Sequence, residues 1–370
     1  MKLNDLFNED LTVKWDVFNK VFPEMATCHH SLRWHMEGSI TNHSSLVYDE
    51  MRKRIKDVQR EDYDEWSLIM LSAALLHDIG KPSTTYFDDE QGDWCCKSHG
   101  KAGEKLFRKV FFEERLDLRE KVAYLIRYHM LLHHTLQKGK VTKEKELIQL
   151  MNGLMPIDDM IILHECDCRG SINEENNDDN IKKHIADIQD EVDKIKLKGK
   201  DNLWKNVTDK TAKMYVMVGI PGSGKSTYAE ALKGSSSIRI VSRDTIRAEM
   251  GMCGYGEKCI GTPSQEDEVT KLMKEKIQYY ASNGFSFIID NTSLKRKYRK
   301  EYFDYVKKYD IVPIYVYVEA PSLEENFKRR DGEIDSSTIQ RMWDGFEFPH
   351  RSECYEMWII DQRAGKAYRL

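Results

Sequence analysis

The sequence has no long apolar run, and its cysteines do not form the paired C-x-x-C pattern of a zinc site. Because a membrane-crossing helix needs about 20 mostly apolar residues, no transmembrane segment is expected. No secretory signal is visible at the start, and the eight cysteines stand at irregular positions. These absences predict a cytoplasmic protein with free thiols, in which Cys95-Cys96 and Cys166-Asp167-Cys168 supply small buried residues rather than metal ligands.

A strong positive charge is also absent. The chain has 57 Lys and Arg against 62 Asp and Glu, and its net charge is −5. No basic field over the whole molecule indicates nucleic acid, so such a ligand would need a local patch. Residues 295–299, which include Lys295-Arg296-Lys297, Tyr298 and Arg299, offer one. This stretch is either a contact for a nucleic-acid backbone or a solvated helix face.

The strongest motif present is Gly219-Ile220-Pro221-Gly222-Ser223-Gly224-Lys225-Ser226, which fits the phosphate-binding pattern G-x-x-x-x-G-K-[ST]. A predicted strand over 214–218 precedes it, and a predicted helix follows from 227, so backbone N–H groups and a helix N-terminus can bind a polyphosphate. Lys225 is expected to reach the β- and γ-phosphates and Ser226 to bind Mg²⁺. The predicted ATP- and Mg²⁺-binding residues are Gly222, Gly224, Lys225, Ser226 and Thr227. The motif predicts the use of a nucleoside triphosphate without identifying the phosphoryl acceptor.

Apolar strands alternate with helical segments around this motif, which is typical of a doubly wound parallel sheet. Further strands are predicted over 238–241, 285–290 and 311–318, and a helix over 273–283. In such sheets, ligands bind at the carboxyl ends of the strands. Ser226, Asp244 and Asp290 fall at these ends and are expected to converge on the phosphate-binding loop.

Two groups in this half have more than one interpretation. Asp244 is either the N-cap of the following helix or the base that accepts a proton from an attacking hydroxyl. Arg247, one turn later, could hold an acceptor phosphate. Lys328-Arg329-Arg330 precedes a glycine turn and is either a mobile lid that stabilises the transferred phosphoryl group or a solvated basic helix.

The other half of the chain is rich in histidine. Ten of the 12 histidines lie between 29 and 164. His77-Asp78 ends an apolar helical run, and adjacent nitrogen and oxygen ligands can bind a divalent metal. His43 stands at a predicted helix start, and Asp167 lies in another helical stretch, 160–167. A single His-Asp pair is weak evidence on its own, but its order with His43 and Asp167 strengthens the prediction of a metal site.

The segment between the two halves predicts their boundary. Residues 173–180 are polar and acidic and are predicted to form a loop. Residues 181–195 carry isoleucine and valine at three- and four-residue steps, which predicts one amphipathic helix. We favour its packing on the preceding helices over a short coiled-coil seam. The predicted domains are therefore 1–200 and 213–370, joined by a linker over 201–212.

The order H…HD…D on helices resembles the HD phosphohydrolase superfamily. The segments Trp34-His35-Met36-Glu37-Gly38, LLHDIGKP, Ser98-His99-Gly100 and Arg127-Tyr128-His129-Met130 are similar to the HD domain of bacterial tRNA nucleotidyltransferases. This resemblance implies an all-α HD-domain helical bundle. It also implies four metal ligands, which are His43, His77, Asp78 and Asp167.

The same resemblance assigns supporting residues. His99 and His129 would be second-metal ligands or phosphate contacts, and Lys81 would neutralise a phosphate oxygen. Imidazole and carboxylate ligands suit Mn²⁺, Ni²⁺, Co²⁺ or Zn²⁺ better than Mg²⁺ alone. Three other histidines, His133, His134 and His164, are interpreted as surface or supporting groups, and His35 as either a supporting group or a ligand.

Residues 213–370 resemble the 5′-OH polynucleotide kinase domain of phage and bacterial end-healing enzymes, through GIPGSGKST, SRDTIR, IIDNT, the KRR cluster and FEFP…ECYEMWIID. The fold implied is an α/β P-loop kinase that uses ATP and Mg²⁺. By this resemblance Asp244 is the general base, and Arg247 contacts the phosphate of the acceptor 3′-nucleotide. Asp290 would lie near the acceptor nucleoside. Arg330 would be the lid arginine, with Arg329 as the alternative register.

An HD domain followed by such a kinase resembles the HD-Pnk family of bifunctional RNA-repair enzymes. The resemblance implies phosphorylation of 5′-OH ends and metal-dependent removal of 2′,3′-cyclic, 2′- or 3′-phosphates from RNA or DNA ends. No ligase motif is visible, so a separate ligase would seal them. Oligomeric state and the choice between RNA and DNA stay open. The alternatives are an HD nucleotidase fused to a small-molecule nucleoside kinase, and a non-catalytic protein with vestigial sites.

Overall fold

The computed structural model describes residues 1–369 except 32, 57, 138–139, 142–143, 175, 200–203, 205–206, 235–236 and 255–260. The chain divides into two compact units, Met1–Asn202 and Leu203–Leu370. Among the described residues, no helix combines the length and apolarity that a membrane span requires.

The first unit is helical. Its helices are α1 (Trp15–Val21), α2 (Ile40–Ile55), α3 (Tyr63–Leu76), α4 (His99–Val110), α5 (Leu116–Tyr128), α6 (Leu131–Thr135), α7 (Glu144–Met151), α8 (Ile157–Gly170) and α9 (Asp178–Leu197). Within the part of the chain that the structure describes, three short 3₁₀ helices occur, at Leu3–Leu6, Pro23–Ala26 and, in the second unit, Arg351–Glu353. The predicted helical architecture is confirmed.

Helix α3 lies at the centre of this unit because it is apolar on nearly all sides: residues 69–76 are all buried. It packs against α2, α5 and α8, and α2 also packs against α8. The ends of these helices therefore meet around the residue that follows α3, which is His77. Helix α9 adds Ile188, Val192 and Ile195 to the same core, which confirms its predicted packing on the bundle.

Two hairpins interrupt the helices and were not predicted. One pairs β1 (Thr85–Asp88) with β2 (Asp93–Cys96), and a shorter one pairs β3 (Leu136–Gln137) with β4 (Lys140–Val141). The first follows directly on the HDIGKP turn. Helix α4 begins at His99, shortly after this hairpin ends at Cys96.

The second unit is an α/β fold. Its strands are β5 (Ala212–Val218), β6 (Arg239–Ser242), β7 (Phe287–Asp290), β8 (Ile311–Glu319), β9 (Glu356–Asp361) and β10 (Lys366–Arg369). Its helices are α10 (Lys225–Lys233), α11 (Arg243–Glu249), α12 (Pro263–Ser282), α13 (Arg296–Val306), α14 (Leu323–Lys328) and α15 (Ser336–Asp344).

The six strands form one sheet in the order β10-β9-β8-β5-β7-β6, in which only β10 runs antiparallel to its neighbour. Strand β5 lies between β7 and β8, so the chain extends the sheet in opposite directions from it. That arrangement confirms the predicted doubly wound sheet. It also makes the carboxyl end of β5 the switch point at which ligands bind in such folds.

One expectation about cysteine is wrong. Cys253 is disulfide-bonded, whereas Cys28, Cys95, Cys96, Cys166, Cys168 and Cys354 are free thiols. Irregular spacing in the sequence does not show which sulfur atoms come within bonding distance in the fold. The expectation of buried cysteines holds for Cys166 and Cys168, while Cys95 and Cys96 are half-buried.

Candidate active sites

Four predicted ligands converge at the centre of the helical unit: His43, His77, Asp78 and Asp167. His43 Nε2 lies 3.1 Å from His77 Nε2 and 3.1 Å from Asp167 Oδ1. Asp78 Oδ2 lies 3.4 Å from His77 Nε2 and 3.7 Å from His43 Nε2. Ligands that share one metal through bonds of about 2.0–2.2 Å are separated by roughly 3.0–3.6 Å. The four buried atoms therefore have the spacing of a single ligand set.

The local fold sets the tautomers of these imidazoles. His77 Nδ1 donates to the carbonyl of Ala74 at 2.9 Å, three residues earlier at the end of α3. Because a carbonyl oxygen only accepts, the His77 Nε2 atom keeps its lone pair for the cluster. The Nδ1 atom of His43 lies 2.8 Å from Glu37 Oε1. This pattern, a histidine ligand held through its second nitrogen, is typical of metal sites.

Asp78 also faces a second pair of histidines. Its Oδ1 atom is 3.4 Å from His99 Nε2 and 3.6 Å from His129 Nε2, and these two nitrogens are 3.0 Å apart. The Nδ1 atoms of His99 and His129 donate to the carbonyls of Cys96 and Ile126, each at 2.8 Å. Within the described residues, Asp78 Oδ1 is buried and accepts no hydrogen bond. The geometry thus suits a carboxylate that bridges two metal ions, which typically lie about 3.5–4 Å apart.

The positive charge of Lys81 lies beside the negatively charged Asp78 of this donor set. Burial alone raises the pKa of Asp78, but Lys81 and His77 hold it well below the usual range. Lys81 Nζ lies 2.6 Å from Asp78 Oδ2. Burial opposes the charge on Lys81, yet Asp78 raises the pKa of Lys81 above its ordinary value. The pair is therefore ionised, and Lys81 keeps a positive charge beside the ligands.

His35 and Glu37 stand behind the ligands. His35 Nδ1 lies 2.8 Å from Glu37 Oε1, and its Nε2 is 3.3 Å from Lys81 Nζ. Burial lowers the pKa of His35 to about 4. Burial also opposes ionisation of Glu37, but its hydrogen bonds to His35 and His43 lower the pKa of Glu37. His35, Glu37 and His43 themselves offer three donor atoms within 4.8 Å of one another, so both interpretations of His35 stay predictions. Glu37 was missed in the sequence because its contacts are made only in the fold.

A cavity of about 1380 Å³ opens onto these groups. Its lining includes Asp78, Lys81 and Asp167 from the donor set and the aromatic rings of Trp34 and Trp94. Its lining therefore combines charged groups with aromatic rings.

The phosphate-binding loop of the second unit contains backbone conformations that favour glycine. Gly222 has φ of 80°, and a Cβ atom there would lie 2.6 Å from the carbonyl oxygen of Asn326. Lys225 Nζ donates to the carbonyl of Ile220 at 2.8 Å, inside the loop. Burial lowers the pKa of Lys225 to about 8, with Asp290 acting in the opposite direction.

Asp290 lies at the end of β7, beside the loop. Burial raises the pKa of Asp290, while a hydrogen bond with Ser226 and the charge of Lys225 act to lower it. Strands β7 and β5 are neighbours, so the carboxylate reaches the first turn of α10. The structure thus places Asp290 next to the predicted Mg²⁺ residue. Its predicted contact with an acceptor nucleoside stays a prediction.

Asp244 is not the cap of α11. The N-cap is Ser242, whose side chain accepts from the Asp244 N–H. The Asp244 carboxylate is half exposed and accepts from Arg247 Nη1 at 2.6 Å. Arg247 also donates to both carboxylate oxygens of Glu266, from Nε and Nη2, each at 2.9 Å. The predicted phosphate contact Arg247 is therefore held by two acids, and Glu266 is a partner that the sequence did not reveal.

The two candidate lid arginines have different surroundings. Arg329 donates to the Gly222 carbonyl at 3.2 Å and to Gln362 Oε1 at 3.0 Å. Arg330 donates to Glu333 at 2.7 Å, and its charge helps to lower the pKa of Lys225 after the larger effects of burial and Asp290. Within the described residues, the Nε atom of Arg330 is buried without a hydrogen-bond partner. Arg329 thus holds the loop backbone, and Arg330 is within electrostatic reach of the phosphate-binding lysine.

The proposed basic patch over 295–299 is smaller than the sequence suggested. Arg299 is fully buried, donates to Glu353 at 3.0 Å and contributes to the fold rather than to the surface. Lys295 and Arg296 lie 3.5 and 3.7 Å from Glu347 and Glu353, which reduces their free positive charge. The sequence offered these residues as one basic stretch, but Arg299 packs inward and does not belong to its surface.

Two families match different parts of the chain. Residues 42–194 match the HD domain family, and residues 214–349 match a family described as an AAA domain. Among curated proteins, the chain is similar to one from Autographa californica nuclear polyhedrosis virus that is provisionally named bifunctional polynucleotide kinase/RNA ligase. The two are 27% identical over 158 residues, which is 38% of this chain and 22% of that protein. The chain therefore spans less than a quarter of the length of this relative.

Solved structures with likeness to part of this chain include the following two. A chain in the structure of the Pnkp1/Rnl/Hen1 RNA repair complex is 23% identical, with a TM-score of 0.34, over 40% of this chain and 50% of that chain. A gluconokinase from Sinorhizobium meliloti is 19% identical, with a TM-score of 0.28, over 38% of this chain and 77% of that chain. Likeness at this level assigns no activity.

Proposed function

We propose that this chain, which joins an HD domain to a P-loop AAA domain, heals nucleic-acid ends. The AAA domain would transfer the γ-phosphate of ATP to a 5′-hydroxyl end. The HD domain would remove 2′,3′-cyclic, 2′- or 3′-phosphates, so that a separate ligase could seal the ends. The observation that supports the proposal is that one chain contains both a buried His/Asp donor set and a P-loop.

In the HD domain, His43, His77, Asp78 and Asp167 would hold a divalent transition-metal ion. A second ion would be held by His99, His129 and Asp78 Oδ1, because these atoms form a separate cluster with ligand spacing. When bound, divalent ions at such a site lower the pKa of a coordinated water toward about 7 and polarise a phosphoryl oxygen. Lys81 is charged and would neutralise an oxygen of the same phosphate. Glu37 and the helix-end carbonyls keep the imidazoles in the ligating tautomer.

The cavity supports a nucleotide end as the substrate. Its volume of about 1380 Å³ exceeds the roughly 300–1,000 Å³ common for small-molecule sites. Trp34, which is 44% exposed, and Trp94 line the cavity together with Asp78, Lys81 and Asp167. Aromatic rings stack on bases with little sequence preference, which suits an enzyme that acts on many ends.

In the AAA domain, Lys225 and the loop amides would bind the ATP phosphates, and Ser226 with Asp290 would hold Mg²⁺. The Asp244 carboxylate would accept the proton of the 5′-hydroxyl. The hydroxyl oxygen then forms a bond to the γ-phosphorus while the bond to the ADP oxygen breaks. Arg330 would stabilise the charge that spreads over the transferred group. The viral relative named for polynucleotide kinase activity supports a polynucleotide as the acceptor.

One observation supports a second candidate function for the AAA domain, that of a small-molecule nucleoside kinase. Arg247 is engaged by Glu266 and Asp244, so its contact with an acceptor 3′-phosphate is not preformed. Acceptor competition separates the two: a nucleoside, its 3′-monophosphate and a 5′-OH oligonucleotide are offered together with labelled ATP. We expect label on the oligonucleotide and the 3′-monophosphate. Preferred labelling of the free nucleoside would replace end healing by the small-molecule function.

A further inference from the structure

A second cluster of metal-binding side chains lies beside the HD centre. It comprises His133 on α6, His164 and Cys168 on α8, and His184 on α9. His164 and Cys168 are four residues apart, so they project from one face of α8. Donor atoms of His133, His164 and Cys168 all lie within 4.8 Å of one another. The His164 Nε2 atom is 3.0 Å from His184 Nε2 and 3.9 Å from Cys168 Sγ.

Ordinary packing accounts poorly for this group. His164 is 1% exposed and Cys168 is 6% exposed, whereas His133 and His184 are half-buried and line the cavity. Within the described residues, His164 Nδ1 is buried without a hydrogen-bond partner, and the contacts of this ring are made through Nε2. A buried polar nitrogen without a partner costs free energy. A cation on the Nε2 side of this ring would not contact Nδ1, but it would bind the His184 Nε2 and Cys168 Sγ donors that face His164 Nε2 there.

The cluster differs in chemistry from the HD donor set. Imidazole and thiolate are ligand types that Zn²⁺ prefers in four-coordinate sites. His133, His164 and Cys168 form one group of donors, and His184 contacts it through His164. The HD set contains imidazole and carboxylate only. The irregular cysteine spacing hid this site in the sequence, because Cys168 is joined by histidines from other helices rather than by a second cysteine.

Asp167 connects the two groups. Its Oδ2 atom is 3.4 Å from His133 Nε2, whereas its Oδ1 atom is 3.1 Å from His43 Nε2. His133, Asp167, Cys168 and His184 all line the same cavity. An ion at the cluster would fix the His133 ring and, through it, the orientation of the Asp167 carboxylate.

We propose that His133, His164, Cys168 and His184 bind one transition-metal ion of the Zn²⁺ type, in addition to any ions of the HD centre. The ion would join α6, α8 and α9 and position Asp167. The assignment concerns a binding site and does not depend on the reaction proposed above.

Cobalt absorption tests the site directly, because thiolate ligation of Co²⁺ produces a charge-transfer band in the near ultraviolet that histidine and carboxylate ligands do not. The full chain is stripped with a chelator, loaded with Co²⁺ and then titrated with Zn²⁺. We expect a thiolate band that Zn²⁺ removes. Cys168→Ser should abolish it and lower the bound metal by one equivalent per chain in elemental analysis. Cys166→Ser is the matched control, because Cys166 is also a buried thiol of α8 but lies two residues earlier and therefore on another face; it should keep both.

A second variant keeps the test decisive if Cys168→Ser does not fold. His184 is half-buried, so His184→Gln should preserve the circular dichroism spectrum while weakening the band. Asp78→Asn, which alters only the HD centre, should leave the band in place. Absence of the band in folded wild-type protein, or its persistence in folded Cys168→Ser, would overturn the assignment.

Discussion

Glu37 Oε1 lies 2.8 Å from His43 Nδ1, on the opposite side of the imidazole from the nitrogen that faces Asp167. The same oxygen is 2.8 Å from His35 Nδ1. One buried carboxylate oxygen therefore contacts both His35 and His43, which is a predicted ligand. Neither contact follows from the H…HD…D pattern.

Glu37→Gln tests this positioning role. The amide keeps the size of the side chain but removes the negative charge that holds the His43 proton on Nδ1. Loss of such a partner typically weakens metal binding about 10–100-fold. We expect that change in a Mn²⁺ titration of the full chain, with unchanged kinase activity. Glu90→Gln, on the exposed turn of the first hairpin, should bind as wild type does, and equal affinity in the two variants would contradict the role of Glu37.

The two sites should fail independently. Asp78→Asn removes the carboxylate charge that faces both histidine pairs and should reduce phosphate-end hydrolysis by at least about 10²-fold. It should leave the kinase within about twofold of wild type, because the P-loop belongs to the other compact unit of the chain. Lys225→Ala should produce the reverse pattern. Both activities are measured on the same preparations. Loss of both in folded Asp78→Asn protein would refute the two-site account.

ATP binding should depend on pH through Lys225. Burial lowers the pKa of Lys225 to about 8, and bound phosphates would favour its charged form. Above about pH 8 the free protein must therefore take up a proton to bind ATP, so affinity should fall by up to about tenfold per pH unit. Below that pH the affinity should be flat. Calorimetry in buffers of different ionisation enthalpy measures the proton uptake.

Lys225→Arg provides the control for this dependence, because guanidinium stays charged throughout the range. Its ATP affinity, although lower, should not fall between about pH 7 and about pH 9. A wild-type affinity that is constant over the same range would mean that Lys225 is fully charged in the free protein.

Substitution of the two candidate lid arginines, Arg329 and Arg330, should affect the kinase rate to different extents. Arg330→Ala removes the charge near Lys225 and should lower kcat about 10³-fold or more, with little change in the KM for ATP. Arg329→Ala removes hydrogen bonds to the loop backbone and to Gln362, partly exposed contacts worth up to about 1 kcal/mol, and should cost less than about tenfold. Single-turnover phosphoryl transfer compares the two. The opposite ranking would assign the lid role to Arg329.

Much of the fold could be predicted from the sequence, because the motifs and apolar patterns that indicate it are local. The P-loop motif, the apolar strands around it and the helical stretches that carry His77 and Asp167 were all found in the predicted elements. These features are read from neighbours within about ten residues. The glycine at 222 illustrates this, since its positive φ is a property of the loop itself.

What the sequence could not show depends on contacts between distant segments. Glu266 lies 19 residues beyond Arg247 yet binds it through two oxygens. Arg299 belonged to a basic run by sequence but is buried against Glu353, 54 residues later. His164 and His184 meet only because α9 folds back on α8. Tertiary packing decides these pairs, and residue types alone do not reveal them.

The central claim is that one chain repairs both ends of a nucleic-acid break. The most direct measurement incubates a 5′-OH RNA ending in a 2′,3′-cyclic phosphate with the full chain, γ-labelled ATP and Mg²⁺, with and without Mn²⁺ or Ni²⁺. The account predicts label at the 5′ end together with metal-dependent loss of the terminal 3′-side phosphate. A labelled RNA whose cyclic phosphate survives under every metal, or label that appears only on free nucleosides, would contradict it.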